Sequence, residues 1–166
     1  MVSRVRIFVT IAALVSIASG LIEGAVWSID LLDRSDGDDL RWGFWHNPFM
    51  AFDPFSETFL DISMWVLLGC SATVGLGGLL LLARSSWGVR LVTWQAPVAI
   101  AVHGIVVFCI ALMACGILAM EWTGEAVALR LGSIWVNLLL WSFLKTRAVT
   151  EWTRGLDRGR LSRRTS

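Results

Sequence analysis

The sequence predicts an all-α polytopic integral membrane protein, a four-transmembrane-helix bundle with an aromatic exoplasmic loop that contains a short interfacial helix. Three observations predict it. The 166 residues are 56% hydrophobic and only 16% charged, whereas soluble domains carry ~25% charge, so the chain has too little polar surface for a water-soluble sphere. Four apolar runs reach the length needed to cross a bilayer as helix, roughly 20 residues. Basic residues gather at one side of these runs and acids at the other. Hydrocarbon tolerates no open sheet edge, and the runs are too long for barrel strands, so they are helices.

The first run, residues 7–29, carries a small-residue stripe, Ala12, Ser16, Gly20 and Gly24, that permits close helix approach. Its rival reading is a cleaved signal peptide, with Arg4 and Arg6 as the basic region and "SIAS" as the cleavage site. The apolar stretch continues through "GLIEGAVWSI", longer than a signal peptide needs, which favours a retained span.

The loop at 30–58 contains "RWGFWHNPFMAFDPF". Asn47-Pro48 and Asp53-Pro54 are helix-start signals, a capping side chain followed by proline at the first helical position. Trp42, Trp45, Phe49 and Phe52 recur at three- and four-residue steps, so they form one aromatic face suited to the outer membrane interface. His46 beside this face has no neighbouring histidine or cysteine, so interfacial packing or partner docking is expected there and a metal site is not. Ten Trp and no Tyr in the whole chain fit the same picture, since Trp favours the membrane boundary.

The second run, 59–83, repeats the small-residue theme with Gly69, Thr73 and Gly77. The third, 91–120, contains Pro97 and, near its middle, His103. The fourth, 126–144, places Arg130, Ser133 and Asn137 on one face. The tail, 145–166, sets Val149, Trp152 and Leu156 on one helical face among basic residues, which predicts a short amphipathic helix on the anionic inner leaflet. Its last residues, "LSRRTS", read as unstructured.

Orientation follows from charge. Arg4, Arg6, Arg84, Arg90, Lys145, Arg147, Arg154, Arg158, Arg160, Arg163 and Arg164 flank one side, whereas Asp30, Asp33, Asp36, Asp38, Asp39, Asp53, Glu57, Glu121 and Glu125 flank the other. The basic side is cytoplasmic, so both termini lie in the cytoplasm and the protein is a multi-pass component of the cell inner membrane.

Ionisable residues inside spans are expensive and mark function or specific pairing. Glu23 shares a face of the first span with Ser16 and Ser19. In antiparallel helices, residues at matching depth have nearly constant number sums. Glu23 with Arg130, Ser19 with Ser133 and Ser16 with Asn137 meet that condition, so the sequence predicts a polar network with Glu23 paired to Arg130. His103 is either a helix contact or a haem or pigment ligand, and a single histidine supplies only one axial position.

The cysteines, Cys70, Cys109 and Cys115, all fall in apolar runs, which leaves no disulfide framework, redox pair or zinc motif. Claudin-like, tetraspanin and quinone-linked disulfide-forming proteins all need cysteines outside the spans, and tryptophan-rich sensory proteins carry a Trp-x-Pro-Pro signature. None of these occurs here. With no nucleophile–base set, metal cluster or phosphate loop, the leading expectation is a non-enzymatic accessory or assembly subunit of a larger membrane complex. Its partners would be the lipid bilayer and other membrane subunits or further copies of itself, with no nucleic acid and no cofactor. The alternatives are an oligomeric proton- or cation-coupled transporter using Glu23, and a haem- or pigment-binding subunit using His103.

Overall fold

The computed structural model describes residues 2–35, 54–114 and 124–164. The expected aromatic face of Trp42, Trp45, His46, Phe49 and Phe52 lies outside the described residues, as does the 115–120 end of the third run. Among the described residues all regular structure is helical: α1 (Val2–Ser35), α2 (Pro54–Leu82), α3 (Ser86–Ala114), α4 (Gly124–Leu144) and α5 (Arg147–Arg164). Segments Val5–Leu32, Ile62–Leu82, Ser86–Phe108 and Val127–Leu144 are long and apolar enough to cross a membrane. The four-helix bundle predicted from the sequence is therefore the fold. Apolar side chains such as Leu21, Trp65, Leu79 and Leu139 stand exposed on its outer surface, as suits a lipid solvent.

Helix limits differ from the apolar runs in an informative way. α1 extends beyond the 7–29 run at both ends, because polar residues outside hydrocarbon continue a helix without penalty. α2 begins at Pro54, the first-turn proline that the Asp53-Pro54 signal predicts. α3 starts at Ser86, earlier than the run at 91–120, so Trp87 and Arg90 belong to its first turns. The α2–α3 connection is correspondingly tight. Ser85 N–H donates to Leu80 C=O at 2.8 Å and Arg84 N–H to Leu81 C=O at 3.0 Å. This is a Schellman C-cap, with Arg84 at the left-handed position, φ 54°.

Packing proceeds in sequence order, α1 against α2, α2 against α3 and α3 against α4, while α1 and α4 touch only lightly. Glycines set the first two contacts. A Cβ on Gly20 would lie 2.7 Å from both Gly75 N and Ser71 O, and one on Gly78 would lie 2.7 Å from Ala13 O. Between α2 and α3, a Cβ on Gly88 would lie 2.7 Å from Gly77 O. Gly69, counted in the expected α2 stripe, has nothing near the position of its missing Cβ.

α5 is helical through Arg164, including residues expected to be unstructured. Its apolar face does not simply lie on lipid. Val149 is buried in one cluster with Val9, Leu81, Val92 and Leu144, and Trp152 packs against that cluster. α5 thus closes the end of the bundle where the α2–α3 turn also lies. At this end Arg6, Arg84, Arg90, Lys145, Arg147 and Arg154 are all exposed.

Candidate functional site

Polar residues inside the bundle concentrate at two levels. Nearer the α5 end, Gln95 of α3 donates through Nε2 to Asn137 Oδ1 at 2.9 Å, and Asn137 Nδ2 donates to Ser133 C=O at 2.9 Å. All three residues are buried. This bond ties α3 to α4. Ser16 spends its hydroxyl on its own helix, donating to Ala12 C=O at 2.8 Å, and does not join Asn137.

The second level lies further from α5 and contains the ionisable residues. Glu23, Trp27 and Asp30 follow one face of α1 at four- and three-residue steps, and all are buried. Ser19, one turn before Glu23, donates from Oγ to Glu23 Oε1 at 3.0 Å. The other carboxylate oxygen, Oε2, faces His103 of α3, with Nε2 at 3.8 Å. His103 is wholly buried, and its ring packs against Trp27 with centroids 5.9 Å apart. Across the light α1–α4 seam, the Arg130 guanidinium sits 4.8 Å from the centre of the Trp27 ring. A cation over an indole face is attracted by about 0.5–2 kcal/mol, more as water is excluded. The carboxylate that acts electrostatically on Arg130 is that of Asp30.

The arrangement brings together Glu23, Ser19, His103 and Arg130 from the sequence expectation, but with different partners. Glu23 meets Ser19 and His103, whereas Arg130 is shifted one turn along α1 to Trp27 and toward Asp30. The physical reason is that α1 and α4 do not pack face to face. Arg130 meets α1 at Trp27, one turn beyond Glu23.

Three residues of the two levels were missed, Trp27 and Asp30 at the Glu23 level and Gln95 at the other. Trp27 and Asp30 carried a signal, their helical spacing from Glu23, but Asp30 reads from sequence as a loop acid. Gln95 was a polar residue within an apolar run. Cys70 of α2 lies buried within electrostatic reach of Glu23. Among the described residues no group of three or more metal-ligating side chains converges.

Trp27 Nε1, His103 Nδ1 and His103 Nε2 are buried at this level with no hydrogen-bond partner among the described residues. A helical membrane bundle with an acid, an imidazole and a cation enclosed at one level is the class that fold and site define. No family model, curated protein or solved structure matches the chain.

Proposed function

We propose that the protein is a non-enzymatic accessory or assembly subunit of a larger complex in the cell inner membrane, with both termini on the cytoplasmic side. The orientation is supported by the ring of exposed basic side chains around α5 and the α2–α3 turn, against the acids at the other end.

One observation carries the subunit reading. Trp94 of α3 is 82% exposed and Trp135 of α4 is 65% exposed. Trp94 lies roughly 12 Å along α3 from Ser86 and Trp135 roughly 14 Å along α4 from Leu144, at ~1.5 Å per residue. Trp135 falls near the middle of a hydrocarbon core ~30 Å thick, whereas Trp94 lies one turn, roughly 6 Å, beyond the exposed Arg90 and so nearer the inner boundary. Lipid-facing Trp favours the headgroup boundary, where the indole N–H finds water. An outward-facing indole at mid-depth, that of Trp135, is better matched by a transmembrane helix of another subunit that supplies an acceptor for its N–H.

The test is a photoreactive residue placed at position 94 or 135 in native membranes. The reading expects cross-linking to one protein of defined mass, which also co-purifies with the unmodified chain and is lost with Trp94→Leu plus Trp135→Leu. Cross-linking to lipid alone at both positions would contradict it.

The transport reading gains from a separate observation. Its weakness in the sequence was that Arg130 would neutralise Glu23 permanently, and the structure instead gives Glu23 a hydroxyl and an imidazole as neighbours. Flux driven by a pH gradient in proteoliposomes, abolished by Glu23→Gln, would establish it. The haem or pigment reading draws no such support, since a macrocycle on His103 would have to displace both Trp27 and Glu23 from its ring.

A further inference from the structure

We propose that Glu23 and His103 form a single proton-binding site, with one exchangeable proton held between Glu23 Oε2 and His103 Nε2. The site stands independently of the subunit reading, because it uses the interior of the bundle and not its outer surface.

Five features of the geometry carry it. The two groups come from different helices, α1 and α3, so the fold and not helical spacing places them 3.8 Å apart. Both are buried, where an interaction between a charge and an imidazole is screened little by solvent. Ser19 holds Oε1 and thereby turns Oε2 toward the ring. The Trp27 ring packs against the imidazole and limits its rotation. Neither ring nitrogen has a hydrogen-bond partner among the described residues, so the donor and acceptor capacity of His103 is open to Glu23. Closing Oε2···Nε2 to a hydrogen bond of ~2.8 Å takes about one ångström of side-chain movement.

Among the described residues, the charged and titratable groups around the pair are Asp30 on α1, Cys70 on α2 and Arg130 on α4. Asp30 and Arg130 have opposite charges and act on one another. Cys70 is buried and feels the Glu23 carboxylate.

The proton balance is simple. With both groups deprotonated, the pair carries the charge of the carboxylate. Uptake of one proton from solvent neutralises the pair, either as imidazolium beside carboxylate or as neutral imidazole beside carboxylic acid. Moving that proton from Nε2 to Oε2 breaks one N–H bond, forms one O–H bond and leaves the net charge unchanged.

The experiment uses the full chain in lipid bilayers with His46→Ala, so that His103 is the only histidine. The carboxyl band is followed by infrared pH-difference spectroscopy and the imidazole nitrogens by nuclear magnetic resonance. Glu23→Gln assigns the carboxyl band, and Glu23→Asp does so should the amide variant not fold. A shared proton makes the Glu23 carboxyl band and the His103 signal change at the same pH. Ser19→Ala, which keeps both groups, then displaces both changes together. Changes at separate pH values, displacement of the carboxyl band alone in Ser19→Ala, or the absence of any titration would each overturn the proposal.

Discussion

Arg130 is the cation around which the outer polar level is ordered, and its partners decide what happens when a charge is removed. Breaking a buried ion pair by deleting one partner costs about 3–5 kcal/mol, because the other charge stays behind without compensation. Asp30 acts on Arg130 electrostatically and Trp27 lies under its guanidinium. Arg130→Met and Asp30→Asn should therefore each destabilise, and the double variant should be less damaged than the sum of the two. The same cycle with Glu23→Gln in place of Asp30→Asn should be closer to additive, since the nearest contacts of Glu23 are Ser19 and His103. Thermal unfolding in one detergent measures both cycles. Much of this cluster was legible at residue scale, because ionisable residues in apolar runs stand out and helical spacing puts Glu23 and Arg130 on inward faces. Their partners were not legible. Matching depth ranks pairs only between helices that pack closely, and α1 and α4 touch lightly.

Helix contacts in this bundle depend on where backbone approaches backbone. The sequence shows small residues on α1 and α2 but does not say which of them meet. Gly20 sits against Gly75 and Ser71, and Gly78 sits against Ala13, whereas Gly69 faces open space. Gly20→Ala would drive a methyl into backbone atoms 2.7 Å away, which cannot move aside as a flexible side chain can. It should lower stability by about 1–3 kcal/mol. Gly69→Ala has no such obstacle and gains helix propensity, so its effect should lie between neutral and about 1 kcal/mol stabilising. Denaturant or thermal titration of the two variants side by side checks the contrast. Equal destabilisation would mean that α1 and α2 cross elsewhere. At the same scale, the amphipathic pattern of α5 was readable from Val149, Trp152 and Leu156. Its docking on the bundle was not, because an apolar face suits lipid and protein equally well.

For the whole molecule, the four apolar helices and the segregation of charge follow directly from composition and were legible throughout. Exposed basic residues surround α5 and the tight α2–α3 turn, and this end is assigned to the cytoplasm. That frame sets which side the Glu23–His103 level faces and which subunits could reach Trp94 and Trp135. The most direct measurement is labelling of single cysteines with an impermeant thiol reagent on spheroplasts, in a background with Cys70, Cys109 and Cys115 replaced by alanine. Ser35→Cys, at the end of α1, should label from outside without permeabilisation. Ala83→Cys, exposed in the α2–α3 turn, should label only after the membrane is opened. Equal labelling of both positions from outside would contradict the four-span bundle and the orientation built on it.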